Sequence, residues 1–295
     1  MTTPSLVLNK SDNFFPTDTR LPFFAYGVFK PGELSFLQIK DLVAHCEDCS
    51  ICAGLRVRDG LPLAVPGSSG IVEGSCIHFR SGFEQTAYRR IGELEPEKQY
   101  IWRVADTKFG RANYLAGRNP QKGTIIPDYN VWNGRDDPLF TVALDVVSET
   151  FNSNQVFDWD LKPLFRLEMA YLLLWTAIER YTSLRYHLGD RANQKVMQIA
   201  NEQAFARAVK GHVAGQQEIY RSDDPRKKIV LDPDVPHKVI EYYYQIRHNL
   251  VHRGKGVPHD HERLVKSLRE LLAIFKRETL MAAFEESKCK GDIAS

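Results

Sequence analysis

The sequence has no long hydrophobic run. Its longest apolar stretch, MAYLLLWTAI, covers ten residues between Glu168 and Glu179, whereas a membrane-spanning helix needs about 20 apolar residues. The first twenty residues also lack the sustained apolar core that a secretory signal carries. We therefore expect a cytoplasmic protein with no membrane among its partners.

Cysteine is scarce, and the charge is nearly balanced. Five cysteines, an odd number without a secretory signal, predict free thiols in a reducing compartment. A formal net charge of +2 in 295 residues does not by itself indicate a nucleic-acid-binding protein. The chain contains neither an internal repeat nor a low-complexity tract. Its composition is that of an ordinary globular protein, and its length suits two domains.

The hydrophobic pattern changes near residue 155. Before that point, short apolar stretches alternate with Gly, Pro, Asp and Asn, which is typical of strands joined by turns. A few helical segments are expected there, notably over ELSFLQIKDLVAHC and EQTAYRRIGEL. After about Asp158 the spacing is helical throughout. The fold class is therefore α+β, with a β-rich domain followed by an all-α domain.

Two segments of the first half have residues suited to catalysis. In AYGVFKPGE, the backbone N–H groups of Gly27, Val28 and Phe29 could face a carboxylate or carbonyl oxygen, although such strand–turn junctions are commonly structural only. In ELEPEKQY, one of the carboxylates Glu93, Glu95 and Glu97 could act as a general acid or base if an apolar pocket held it. The alternative is a solvated acidic helix end.

The order of these segments resembles the gamma-glutamylcyclotransferase-like family, which includes the plant avirulence-induced proteins. YGVF followed by KPG resembles the family's Tyr-Gly-x-Leu loop, and AGLRVRDGLPLAV resembles its next strand and turn. GIVEGSCIHF matches the strand with a V-x-G centre, and IGELEPEKQYIWRVADT matches the family's Leu-Asp-x-x-Glu segment and the strand after it. Phe29 replaces the family's Leu, and Ile91-Gly92 replaces Leu-Asp.

The resemblance implies a β-barrel domain, a substrate loop and one catalytic carboxylate. Glu95 would take the catalytic position, and the substrate site would comprise Tyr26, Gly27, Val28, Phe29 and Tyr100. The implied reaction is attack by a glutamyl α-amine on its own γ-amide, which releases 5-oxoproline and an amine. This reaction needs neither a metal nor a cofactor, and we expect neither.

HCEDCSIC places Cys46, Cys49 and Cys52 at C-x2-C-x2-C spacing beside His45. Three thiolates and an imidazole could bind zinc. The chain has no second CxxC pair, however, and strand alternation would point these side chains to opposite faces. We therefore interpret the cysteines as mostly buried structural residues.

Four antiparallel helices are predicted after residue 158, which indicates a helical bundle. The first follows a cap at Asp160 and carries Pro163 in its first turn. The second runs from Ala192 to Val213, the third from His237 to Gly254, and the fourth covers HERLVKSLRELLAIFKRETLMAAF.

YYYQIRHNLVHRGKG ends the third helix with three candidate polar residues, Arg247, His248 and His252. The two histidines share a helix face at i and i+4, but Arg247 and Arg253 would repel a divalent cation. Arg247 and His252 lie about 140° apart on an ideal helix, so they would converge only if the last turn loosened or two subunits formed the cleft. The alternative interpretation is that these three residues are ordinary polar side chains at the end of a helix.

The R-x4-H spacing near the end of the third helix resembles the HEPN family, which includes many ribonuclease toxins. YLLLWTAIERY resembles the first long helix of Apea-like members, and LVKSLRELLAIFKR resembles their last helix. The resemblance implies metal-free RNA cleavage by Arg247 and His252, supported by His248, with Arg253 and Lys255 binding RNA. It also implies a homodimer, with Glu179 as an accessory residue, and allows for an antitoxin partner.

The domain boundaries follow from both resemblances. We expect an N-terminal extension over 1–20, a cyclotransferase-like domain over 21–125, a connecting segment over 126–157, a HEPN-like domain over 158–287 and a tail over 288–295. The leading hypothesis is an endoribonuclease that serves as a toxin or defence effector, whose first domain binds or processes a gamma-glutamyl or related small molecule. The alternative is a gamma-glutamyl-amine cyclotransferase whose helices serve dimerisation or nucleotide binding.

Overall fold

The computed structural model describes residues 14–58, 60–95, 97–119, 122, 124–125, 130–156, 161–186, 191–222, 224, 226–253 and 258–289. Within these ranges, the structure does not describe the side chains of residues 124–125, 136, 192, 252–253 and 258–260. The chain divides into two compact units. The first comprises 1–31, 38–132 and 289–295, and the second comprises 32–37 and 133–288.

The described residues of the first unit form eight strands and one α-helix, as its turn-punctuated sequence predicts. The strands are β1 (Phe23–Ala25), β2 (Val43–Cys52), β3 (Gly54–Arg58), β4 (Leu61–Val65), β5 (Ile71–Phe79), β6 (Tyr100–Thr107), β7 (Gly110–Gly117) and β8 (Thr124–Ile125). The helix α1 (Glu84–Leu94) covers the predicted EQTAYRRIGEL. It buries Ala87, Tyr88 and Ile91, which lie at helical spacing on one face.

The eight strands form one sheet, which curls into a half-barrel. The order is β2-β5-β1-β7-β4-β3-β8, and β6 pairs with β7 off this path. The central strand β1 is antiparallel to β5 and parallel to β7. Gly74 allows this packing, because a Cβ at that position would lie 2.3 Å from the carbonyl oxygen of Ala25.

The prediction of a helix over ELSFLQIKDLVAHC is wrong. The chain forms two short 3₁₀ turns, Leu34–Gln38 and Lys40–Leu42, and then enters β2. The apolar residues of this stretch are buried without a continuous helix, so their spacing alone misled the prediction.

The second unit is predominantly helical. Its α-helices are α2 (Val142–Ser153), α3 (Lys162–Arg185), α4 (Ala192–Gln198), α5 (Gln203–His212), α6 (Pro236–Arg253), α7 (Pro258–Leu272) and α8 (Leu280–Glu286). A 3₁₀ turn over Ile199–Asn201 separates α4 from α5, and a π-helical segment over Ala273–Thr279 joins α7 to α8. The predicted second and fourth helices are therefore each interrupted, while α3 and α6 match the first and third. The proposed cap Asp160 lies outside the described residues.

Two elements of this unit were missed by the sequence interpretation. Helix α2 lies within the expected connecting segment and buries Leu144 and Val147 completely. The polar loop before α6 contains a hairpin of β9 (Gln217–Tyr220) and β10 (Lys228–Leu231). The core of the unit is formed by apolar side chains from α2, α3, α5, α6, α7 and α8 together with Leu34. Among the described residues, no helix combines the length and the apolar character that crossing a bilayer requires.

Candidate functional site

A narrow pocket in the first unit brings together the residues that the sequence suggested for small-molecule chemistry. Its lining consists of Phe23, Ala25, Tyr26, Gly27, Val28, Phe29, Pro62, Glu95, Tyr100 and Leu115. The pocket has a volume of about 20 Å³, which is room for about one water molecule. A single oxygen-bearing group therefore fits inside, and the remainder of a ligand would lie towards solvent.

The loop after β1 forms one wall of the pocket through a tight turn. The N–H of Lys30 donates to the carbonyl oxygen of Gly27 at 2.9 Å, which closes the turn. Position 27 requires glycine because the turn packs closely on Pro62. A Cβ there would lie 2.9 Å from Cγ of Pro62. The ammonium group of Lys30 donates to the carbonyl oxygen of Trp132 at 2.8 Å and secures the end of the turn.

Two buried tyrosines hold the walls together through their hydroxyl groups. Tyr26 donates to the carbonyl oxygen of Leu115 and accepts from the N–H of Ala64, so it joins the loop to β7 and β4. Tyr100 donates to the carbonyl oxygen of Pro62 at 3.0 Å. Burial raises the pKa of Tyr26 well above its usual value, with a smaller contribution from the negative charge of Glu95. The hydroxyl of Tyr26 therefore stays neutral, and the hydrogen bonds of both tyrosines hold the pocket walls in place.

Glu95 occupies the position immediately after α1. Its N–H donates to the carbonyl oxygen of Ile91 at 3.0 Å, and its backbone is already extended. The side chain is half-buried at the pocket, whereas Glu93 and Glu97 are exposed. Of the three acidic residues in this segment, only Glu95 therefore combines partial burial with access to the pocket. A carboxylate in such a place is suited to moving protons.

In the second unit, α6 carries Arg247 opposite α3. The guanidinium Nη2 of Arg247 lies 3.0 Å from Oε1 of Glu179, and both side chains are about one third exposed. Oε1 accepts no hydrogen bond among the described residues, so the contact is an ion pair by distance only. The guanidinium also stacks over the ring of Tyr244, 5.4 Å from its centroid. An arginine held in this way is oriented, and part of its charge is balanced.

The structure describes only part of the other proposed ribonuclease residues. His252 and Arg253 belong to the backbone of α6, but their side chains lie outside the described residues, as does all of Lys255. His248 is half-buried on the same helix. Of the aromatic run before the motif, Tyr242 and Tyr243 are buried in the core.

The cysteines of HCEDCSIC lie along β2, as the alternation argument required. Cys49 is buried and Cys52 is exposed, so the C-x2-C-x2-C set does not converge on one point. All five cysteines are free thiols. A hydrogen bond between Cys76 and Cys49 raises the pKa of Cys76 and lowers that of Cys49, and burial raises the pKa of Cys76 further.

Pro62 and Leu115 were not predicted as part of the site. Neither residue carries a reactive group, and each comes from a strand far along the sequence from the Gly27 turn. They enter the pocket because β7 lies beside both β1 and β4 in the sheet. This proximity depends on strand order, which the spacing of residues along the chain does not encode.

Comparisons with known proteins do not assign a family. No model of a protein family matches the sequence. A search among curated proteins also found no match. Among solved structures, the chain is similar to an uncharacterized protein from Pyrococcus horikoshii, with 23% identity over 36% of this chain and 85% of that chain, at a TM-score of 0.30. A likeness at this level carries no argument about fold or function.

Proposed function

We propose that the first unit is a gamma-glutamylcyclotransferase-like domain that acts on a gamma-glutamyl-amine or a related small molecule. The observation that carries this proposal is the shared pocket of Glu95, the Tyr26–Phe29 loop and Tyr100. These residues come from two segments of the sequence that lie more than 60 residues apart, and the same residues match the motifs that resemble this family.

The reaction would proceed by proton transfer through Glu95. The α-amine of the substrate attacks its own γ-carbonyl carbon, and the carboxylate accepts the proton that the amine loses. The bond to the leaving amine then breaks, and Glu95 returns the proton to that nitrogen. The products are 5-oxoproline and a free amine, with no water consumed. The backbone of the Gly27 turn would stabilise the negative charge that develops on the carbonyl oxygen.

Replacing Glu95 tests this proposal directly. Glu95→Gln keeps the shape of the side chain but removes its ability to accept a proton. We expect it to lower the rate of 5-oxoproline release from gamma-glutamyl-amines by roughly 10²–10⁴-fold. The matched control is Glu93→Gln, an exposed carboxylate on α1 outside the pocket, which should react as the wild type does. If the two variants were equally active, or if the wild type released no 5-oxoproline between about pH 6 and 9, the proposal would be wrong.

A second candidate function is metal-independent RNA cleavage by the helical unit. The observation that favours it is the ion pair between Arg247 of the R-x4-H segment and Glu179 of α3, because the resemblance to HEPN proteins suggested Glu179 as an accessory residue. Arg247 would hold the phosphate, and His252 would take the proton of the 2′-OH as that oxygen attacks the phosphorus. The bond from phosphorus to the 5′-oxygen of the next nucleotide then breaks, and that oxygen takes up a proton, which leaves a 2′,3′-cyclic phosphate and a 5′-hydroxyl end. The expected homodimer would place two such motifs across one cleft.

Cleavage of RNA in the presence of EDTA tests this second function. Arg247→Ala and His252→Ala should each abolish cleavage, whereas Arg207→Ala, which removes an exposed positive charge from α5, should leave it unchanged. Cleavage that persists in both variants of the motif would exclude it as the catalytic site. Glu95→Gln should not affect RNA cleavage, so the two functions can be distinguished in one set of proteins.

A further inference from the structure

We propose that His45, Glu47 and His78 form a binding site for a divalent transition-metal ion such as Zn²⁺. One ligand atom from each of these side chains lies within 4.8 Å of the others. The three residues are outside the pocket of Glu95, and cyclotransfer as proposed above needs no metal. The site therefore adds a property to the first unit and does not rest on the proposed function.

The sheet itself brings the three side chains together. His45 of β2 and His78 of β5 are direct partners in the antiparallel register. Opposite residues in such a pair point to the same face of the sheet, and residues two apart along a strand share that face. Glu47 therefore joins the histidines on one face, and paired strands hold the backbone beneath all three.

The distances between ligand atoms suit a tetrahedral ion. Oε2 of Glu47 lies 3.4 Å from Nε2 of His78 and 3.7 Å from Nε2 of His45. With bonds of about 2.0–2.1 Å, ligand atoms around tetrahedral zinc are about 3.3–3.4 Å apart. The carboxylate is therefore already near its coordinating distance from both imidazoles.

The two imidazole rings must move slightly to share an ion. They stack with centroids 4.3 Å apart and planes only 9° from parallel, whereas a bound metal lies in the plane of each imidazole that holds it. The rings therefore have to tilt apart when the ion enters. The side chain of His45 is 57% exposed, so it has the freedom to make this turn.

The second observation that points to a ligand concerns His78. Its Nε2 atom is buried and makes no hydrogen bond among the described residues, although Oε2 of Glu47 is close. A buried nitrogen without a hydrogen bond loses the solvation that it has in water. Coordination to a metal ion would satisfy this atom and Glu47 together.

The ligand types determine the class of ion. Two imidazoles and one carboxylate suit zinc and its first-row neighbours, and they are poor ligands for Ca²⁺ or Mg²⁺, which prefer an oxygen-rich shell. Three protein ligands leave the fourth position of a tetrahedral ion open to water. Because the side chain of His45 is exposed, water can reach that position.

Metal titration of the full-length protein tests the site. Protein that carries no affinity tag is stripped with a chelator and titrated with Zn²⁺ by calorimetry, and with Co²⁺ by its visible absorption. We expect one ion per chain. His45→Ala, Glu47→Gln and His78→Asn should each weaken binding by at least about tenfold, because even a change outside the ligand set can have an effect of that size.

Two control variants separate this site from its neighbours. Asp48→Asn changes the next carboxylate on β2, which points to the opposite face and bonds to Ser75, and Cys52→Ser removes an exposed thiol of the same strand. Both should bind Zn²⁺ as the wild type does. Binding that is unchanged in the three ligand variants, lost in Cys52→Ser, or absent from the wild type would overturn the proposal. If His78→Asn is not folded by circular dichroism, the exposed His45→Ala decides the result.

Discussion

Gly27 shows how one residue limits the shape of the candidate pocket. The turn that it begins packs so closely on Pro62 that no side chain fits between them. The candidate carboxylate Glu95 and the loop motif were recognisable from the sequence, because each belongs to a contiguous segment. Pro62 was not, because its contact with Gly27 follows from the order of the strands. The grouping of His45 and Glu47 with His78 was missed for the same reason.

Gly27→Ala should therefore impair the pocket and the fold together. The added Cβ meets a proline ring, which cannot rotate away, so the loop or β4 has to shift. We expect a loss of about 1–3 kcal/mol in the free energy of unfolding, together with reduced 5-oxoproline release. Urea unfolding and the activity assay measure the two effects.

The control for this substitution is Gly211→Ala on α5. A Cβ at position 211 meets no atom within 4 Å, and alanine favours a helix by up to about 1 kcal/mol over glycine. This variant should be as stable as the wild type or more stable. If the two variants were equally stable, the loop would have room for a Cβ at position 27 despite the short distance to Pro62.

At the scale of the elements, the apolar pattern predicted where helices lie but not where they are interrupted. Helix α1 and the long helices α3 and α6 follow the periodicity closely. The π-helical segment does not follow this periodicity, because it depends on local hydrogen bonds. Within it, the hydroxyl of the buried Thr279 donates to the carbonyl oxygen of Ile274 at 2.8 Å. Helix α2 had apolar residues at helical spacing, and that signal was available in the sequence.

The start of α2 is joined to α3 by a buried ion pair. Nε of Arg180 donates to Oδ2 of Asp137 at 3.0 Å, while Oδ1 accepts from the N–H of Leu139. Asp137 is only 5% exposed. Asp137→Asn should therefore lower the free energy of unfolding by about 1.5–3 kcal/mol, because it leaves Arg180 without its charged partner.

Asp145→Asn, on α2 itself, provides the comparison. Asp145 accepts a hydrogen bond from Lys276 at 2.8 Å, but its side chain is 67% exposed. Solvent screening limits such pairs to less than about 1 kcal/mol. Thermal and urea unfolding of both variants should thus separate the buried pair from the exposed one, and similar losses would contradict the role assigned to burial.

For the molecule as a whole, buried carboxylates make stability depend on pH. Burial raises the pKa of Glu270, which accepts a hydrogen bond from the hydroxyl of Tyr243 at 2.8 Å, and burial likewise raises the pKa of Glu202. A carboxyl whose pKa is higher in the folded state than its unfolded value of about 4.3 favours folding while it is protonated. That contribution is complete below the unfolded pKa and is lost as the pH rises through the folded pKa.

Glu270→Gln should remove this dependence at one site. The amide keeps an oxygen that can accept from Tyr243 but does not titrate. Relative to the variant, the wild type should therefore be more stable at about pH 5 than at about pH 7, as measured by urea unfolding at both values. A difference between the two proteins that is independent of pH would show that Glu270 titrates at its ordinary value.

The place of segment Gly32–Leu37 in the fold affects the chain while the ribosome is still making it. The segment belongs to the helical unit, although the residues on both sides of it belong to the strand-rich unit. Its Leu34 joins the core of the helices, and the hydroxyl of Ser35 donates to the carbonyl oxygen of Leu184 at 3.0 Å. On the ribosome this segment emerges long before Leu184, roughly 10–30 s earlier at ordinary rates of translation. During that interval Leu34 has no core to enter, so the nascent chain presents an apolar segment to chaperones until its helices have been made.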